Sequence, residues 1–232
     1  MNYRLSRIAA ICGGKFSGCD SEVRSVVTDS RSLSCELGCR PMFVAMRGAN
    51  HDSHDFIADM QSRGVRAFLV ERGVEASSCT GECGFVQVDN AIEALQRLAA
   101  YHRAQFRGTV VGITGSNGKT VIKEWIAEEL PEGMKYYRSP KSYNSQLGVP
   151  LSVLMLEGDE ELAIFEAGIS KPGEMERLER IIRPDAVIFT SIGDAHQENF
   201  INLEQKCDEK MILARSASKI IYHSYYEPLG RM

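Results

Sequence analysis

Four short stretches carry the residue types that could do chemistry. The first reads Thr114-Gly115-Ser116-Asn117-Gly118-Lys119-Thr120 and follows the apolar run Val110 to Ile113. Residues from Val121 to Leu130 then take helical spacing. Strand, glycine loop, Lys-Thr and helix together make a phosphate cradle, with backbone N–H groups and the helix N-terminus turned toward an anion. Lys119 would reach the β and γ phosphates, and the Thr120 hydroxyl would hold a magnesium ion. The longer general pattern wants a glycine where Ile113 stands, so the loop is a short variant. The other three stretches are Asn144 to Pro150, Ile164-Phe165-Glu166-Ala167-Gly168, and Ile192-Gly193-Asp194-Ala195-His196. Singly, Glu166 reads equally as a structural carboxylate and His196 as a surface residue. Together they offer an amide, a carboxylate and an imidazole to one phosphate–metal centre.

Positioning them requires a sheet that brings distant loops to one rim. From Thr109 onward the chain alternates strand and helix. Strands are expected at Val110–Ile113, Lys135–Arg138, Leu162–Glu166, Ala186–Thr190 and Lys219–Tyr222, and helices near 120–130, 148–156, 173–182 and 202–217. This predicts an α/β fold with a doubly wound parallel sheet, in which ligands gather at the carboxyl ends of strands. All four stretches fall at such ends.

Residues 1–89 form a smaller α/β unit. Helices are expected over Leu5–Cys12 and His54–Arg63, and strands over Val23–Thr28, Met42–Met46, Ala67–Val70 and Phe85–Val88. The amphipathic helix Ala91 to Phe106 opens the second domain, 90–232. Asp29-Ser30-Arg31 stands at a strand exit and reads either as a plain turn or as the lining of a ligand site. His51 and His54 make an H-x2-H pair. A metal would suit them, but a loop with Asp52 or Ser53 capping the next helix accounts for them as well.

Composition narrows the class. The chain has 232 residues, a formal net charge of −4 and no long apolar run, which argues against a membrane span and against nucleic acid as the main partner. Ile8 to Cys12 is too short for a signal-peptide core, so a cytosolic protein is expected. The seven cysteines (Cys12, Cys19, Cys35, Cys39, Cys79, Cys83, Cys207) are an odd count and read as reduced thiols. Cys35/Cys39 and Cys79/Cys83 are C-x3-C pairs, yet their local sequences lack a zinc-knuckle pattern.

The combined motifs resemble the Mur ligases, the ATP-dependent amide-forming enzymes of peptidoglycan synthesis. The resemblance rests on the loop Thr114 to Thr120, Asn144-x3-Gly148-x-Pro150, Glu166-Ala167-Gly168 and Ser-Ile-Gly-x-Ala-His ending at His196. Arg138 to Gln146 and Phe165 to Ser170 are similar to the Bacteroidetes-type member that adds D-alanyl-D-alanine to UDP-N-acetylmuramoyl-tripeptide, a version often fused to a C-terminal alanine racemase. The resemblance implies ATP and Mg2+ as cofactors. It implies that Gly115, Ser116, Asn117, Gly118, Lys119 and Thr120 bind ATP phosphates. It implies that Thr120, Glu166 and His196 serve magnesium, and that Asn144 stands near the γ-phosphate and the incoming carboxylate. Lys210, fourteen residues after His196, matches a lysine that the family carbamylates with CO2. The carbamate would turn a cation into an anion able to hold a second magnesium. Lys119, Asn144, His196 and Lys210 are thus the implied catalytic residues. On its spacing alone Lys210 also fits an exposed helix face.

The resemblance reaches the N-terminal domain through Asp29-Ser30-Arg31 and Phe43 to Gly48, and implies that Ser30, Arg31 and Gly48 approach the uridine diphosphate. One departure is Asp52-Ser53-His54 where the family has Asp-Gly-His, and serine tolerates fewer backbone conformations than glycine. The other is length. The family carries a third domain that closes over ATP, so a fragment that turns over little by itself is expected. Two rivals are another ligase of the superfamily, such as folylpolyglutamate synthesis, and a nucleotide- or UDP-sugar-binding module without turnover.

Overall fold

The computed structural model describes residues 1–33, 40–48, 52–71, 82–193 and 197–223. The chain divides into two compact units, Met1–Tyr101 and His102–Met232. The division falls in the last turn of the helix that the sequence reading assigned wholly to the second domain. Its first turns bury Ala91, Ala94, Leu95, Leu98 and Ala99. They belong to the first unit because Ala94 and Arg97 meet Cys12, whose Sγ lies 3.3 Å from the Ala94 carbonyl and whose own carbonyl accepts from Arg97 at 2.9 Å.

The first unit contains β1 (Tyr3–Arg4), α1 (Leu5–Cys12), β2 (Lys15–Gly18), β3 (Glu22–Val23), β4 (Ser25–Val27), β5 (Pro41–Val44), α2 (Ile57–Ser62), β6 (Ala67–Glu71), β7 (Gly84–Val88) and α3 (Ala91–Arg103). Its sheet runs β2-β7-β6-β5-β4, parallel except for the antiparallel edge strand β2. Alternation along the strands sends Phe43, Phe68, Val70 and Phe85 to one face. There they pack with Ile57, Met60 and Val65, and Phe68 stacks on Phe85 at 5.2 Å. The expected strand Val23–Thr28 is broken at Arg24. Val23 pairs with Tyr3, and Ser25 to Val27 pair with β5.

The second unit contains β8 (Thr109–Thr114), α4 (Lys119–Glu128), β9 (Tyr136–Arg138), α5 (Gly148–Val153), β10 (Leu162–Ala167), α6 (Glu174–Ile182), β11 (Ala186–Phe189), α7 (Leu203–Met211) and β12 (Lys219–Ile221). The strand order is β12-β11-β8-β10-β9, and every pairing is parallel. This is the doubly wound sheet expected from the alternation. On one face Val111, Ile113, Ile164 and Ile188 pack with Ile122 and Ile126 of α4 and with Leu130, two residues past its end. The expected helix over 202–217 is shorter. It ends at Met211 and passes into a 3-10 turn, Ile212–Ala214, which buries Leu213. The order places β8 between β10 and β11, so three strand ends face one rim. Ala167 and Phe189 both stand in register with Thr114.

Candidate active site

The loop after β8 is stitched to the exit of β11 by its backbone. Ser116 N–H donates to Ser191 O at 2.6 Å, and Asn117 bridges Ser191. The Thr190 hydroxyl stands 2.6 Å from Asn117 O and 3.2 Å from Thr114 O. Gly193 N–H reaches Ser116 Oγ at 3.0 Å, and that hydroxyl lies 3.0 Å from Gly193 O. Gly115 takes φ 147°, and a Cβ there would stand 1.8 Å from Thr190 Oγ1. Gly118 precedes α4 with φ 82°. Both positions need glycine, one for its backbone and its crowding, the other for its left-handed conformation. Gly115→Ala is expected to displace the loop and weaken ADP binding by at least about tenfold. Calorimetric titration checks this, and unchanged affinity would remove the loop from the site.

Glu166, next to last in β10, is fully buried and gathers side chains from α4 and from the segment before α5. Its Oε2 accepts from the Thr120 hydroxyl at 3.1 Å and from Asn144 Nδ2 at 3.4 Å. Its Oε1 lies 2.9 Å from Lys123 Nζ, an ionic contact out of hydrogen-bond alignment, and has no hydrogen-bond partner among the described residues. Lys123 itself is fully buried and donates at 2.7 Å to both Ser139 O and Lys141 O. Sequence reasoning missed Lys123. The available signal was its spacing: it stands four residues after Lys119, on the face of α4 that also carries Ala127 inward. Asn144 is held in turn by its backbone, since its carbonyl accepts from Gly168 N–H at 2.8 Å.

Two amines share an acceptor at the mouth of the loop. Lys119 Nζ donates to Gly115 O at 2.8 Å and to Ser116 O at 3.2 Å. Lys210 Nζ donates to the same Gly115 O at 3.1 Å. Lys210 is therefore buried, 3% exposed, and not on a solvated helix face. Burial, then the charges of Lys119 and Lys206, push its pKa down to about 8. Burial also lowers the Lys119 pKa, and Glu166 pulls it back. Lys206, four residues before Lys210, is buried as well and donates to Gly193 O at 2.6 Å. Gly115, Ser116, Lys119, Asn144, Ser145 and Lys210 are among the residues that line a cavity of about 120 Å³. Its wall is cationic and rich in N–H donors, suited to phosphate and carboxylate oxygens.

Among the described residues no three His, Cys, Asp or Glu side chains stand close enough to hold a metal by themselves. The donor set still fits Mg2+, which is bound through one or two carboxylates plus substrate phosphates. Glu166 and the Thr120 hydroxyl are the residues that would hold it. His196 lies outside the described residues, as do His51, Cys35, Cys39 and Cys79. Cys12, Cys19 and Cys207 are free thiols. His54 is buried between Asp52, which meets its Nδ1, and Glu71, whose N–H reaches its Nε2 at 3.2 Å. Both ring nitrogens are thus engaged within the fold, and Asp52 also caps the turn.

In the first unit, Ser30 and Arg31 lie in a 3-10 turn after β4. The exposed Arg31 guanidinium folds back on Asp29 at 2.8 Å and holds that carboxyl at a pKa of about 2. Ser30 O accepts from Arg63 at 2.6 Å. Gly48 is exposed beyond β5. Ser53, where the resemblance implies a glycine, has no left-handed backbone. Its hydroxyl instead bonds both Met46 N–H, at 2.6 Å, and Met46 O, at 2.9 Å. Serine at this position therefore ties down the loop without straining it.

Known proteins resemble this chain in sequence and in fold. Residues 113–223 match the Mur ligase middle domain. The UDP-N-acetylmuramoyl-tripeptide–D-alanyl-D-alanine ligase of Bacillus subtilis is 31% identical over 189 residues, 82% of this chain and 40% of that protein. The Escherichia coli ligase of the same name is 32% identical over 203 residues, 88% of this chain and 43% of that one. Among solved structures, MurF from Acinetobacter baumannii superposes with a TM-score of 0.85 at 25% identity, over 99% of this chain and 51% of that one. MurF ligase from Thermotoga maritima in complex with ADP gives 0.77 at 30% identity, over 90% and 48%. The chain spans about half the length, or less, of these relatives. It belongs to the Mur ligase family, with residues 113–223 as the family's middle domain.

Proposed function

We propose that the whole protein is a cytoplasmic, ATP-dependent ligase that joins D-alanyl-D-alanine to UDP-N-acetylmuramoyl-tripeptide, giving ADP and phosphate. The observation that carries this reading is the meeting of Lys119, Thr120, Asn144, Glu166 and Lys210 around one loop. The names of the relatives supply the substrates. In the proposed reaction the peptide carboxylate attacks the γ-phosphorus and forms an acyl phosphate, with ADP leaving. The amine of D-alanyl-D-alanine then attacks the acyl carbon, and the tetrahedral adduct loses phosphate and a proton to give the amide. Two anions must meet in the first step, so neutralising their charge is the main task. The Lys119 amine supplies one positive charge from within the loop, and Asn144 orients oxygens beside it. Bound Mg2+ would supply further neutralisation of the phosphate oxygens. Ser30, Arg31 and Gly48 are assigned to the uridine diphosphate, and His196 to magnesium.

The test is ADP release that depends on both the tripeptide nucleotide and D-alanyl-D-alanine. Release with a folate polyglutamate acceptor instead would favour the superfamily rival. Binding of ADP without turnover would favour the binding module, a reading favoured for residues 1–232 alone by their coverage of only 40% and 43% of the two ligases.

Carbamylation of Lys210 is part of the same proposal. CO2 reacts with a neutral amine, so the reactive fraction of Lys210 should rise about tenfold per pH unit toward pH 8 and then level off. With 13C-labelled bicarbonate, a carbamate resonance should grow over that range and be missing in Lys210→Ala. A signal that survives the substitution would place the modification elsewhere.

A further inference from the structure

Lys123 is more tightly held than any role in phosphate binding requires. Its amine has no exposure, and two carbonyls fix it at 2.7 Å each, Ser139 O and Lys141 O. Those carbonyls lie on the segment between β9 and α5 that goes on to Asn144. From that anchor the amine faces Glu166 Oε1 at 2.9 Å. The other carboxylate oxygen, Oε2, is the one turned toward Thr120 and Asn144. The carboxylate is thereby divided into an oxygen held by the fold and an oxygen facing the loop.

We infer, on the reading of Glu166 as a metal-facing carboxylate, that Lys123 is a positioning residue that leaves Glu166 one oxygen to offer and so selects a small octahedral cation over a larger one. Mg2+ accepts a single carboxylate oxygen in a compact octahedron, whereas Ca2+ takes more oxygens and often both from one carboxylate. Two-oxygen binding would turn Oε1 away from Lys123. The buried ammonium would then lose its 2.9 Å carboxylate and keep Glu124 Oε1 at 3.3 Å, a cost that falls on the larger ion alone. Geometry, not acidity, sets the preference.

The experiment titrates ADP into the 232-residue chain by calorimetry, with either Mg2+ or Ca2+ as the sole divalent cation. The unsubstituted chain should bind ADP about tenfold or more tightly with Mg2+ than with Ca2+. In Lys123→Met the ratio should fall to about twofold, mainly because binding with Ca2+ strengthens. The ratio compares one preparation with itself, so partial unfolding cancels, and Lys123→Gln serves as a second, less disruptive variant. A ratio unchanged in both variants overturns the inference and leaves the site reading intact. Glu166→Gln tests that reading separately: cation-dependent binding that survives it, or ADP binding that needs no divalent cation in the unsubstituted chain, overturns both.

Discussion

Lys119→Ala should lower the ligation rate of the whole enzyme by at least about 10^3-fold, the scale expected when a fixed charge that faces developing negative charge is removed. The half-buried amine stands inside the loop, on Gly115 O at 2.8 Å and Ser116 O at 3.2 Å, where water screens it less than at the open surface. Its burial already costs free energy, as its lowered pKa records. Removing it should therefore leave the fold as stable as before, or slightly more so. Loss of turnover with retained stability is the diagnostic pair, measured by phosphate release and by urea denaturation. Lys119→Arg should not restore the rate, because a planar guanidinium cannot occupy the place of a compact amine. Near-normal turnover in Lys119→Ala would reject the assignment.

Glu166→Leu should show the reverse balance, with a large loss of stability added to loss of activity. The change strands Lys123 in a site with no solvent exposure. Breaking one side of such a pair costs about 3–5 kcal/mol. The two carbonyls at 2.7 Å and the part-exposed Glu124 carboxylate at 3.3 Å soften the loss, so the lower end of that range is expected. Adding Lys123→Met should recover most of it, since an apolar pair of similar volume packs without desolvation cost. Urea denaturation of the two single variants and the double variant measures the coupling. Additive effects would mean that the ion pair contributes nothing to the fold.

The loop, the carboxylate and the parallel sheet were legible because each announces itself locally. Val110 to Ile113 is a buried apolar run, Gly115 and Gly118 mark a turn of unusual backbone, and Glu166 ends an apolar strand. Lys123 was not legible, since a lysine on an amphipathic helix reads as solvated until Glu166, 43 positions away in sequence, is known to face it. Lys210 had the same ambiguity from spacing, and only tertiary packing buries it. In the first unit β2 was missed because Lys15 to Gly18 lacks an apolar alternation and is mostly exposed. The break at Arg24 escaped notice because Val23 and Val26 read as one strand, although they pair with different partners. The end of α7 was overrun because Ile212 to Ala214 keeps an apolar pattern while tightening to a 3-10 turn.

The stitching of Ser116 and Asn117 to Ser191 and Gly193 has a mechanical meaning. Two backbones cross-linked at this density share one set of motions, so whatever restrains the exit of β11 also quiets the glycine loop.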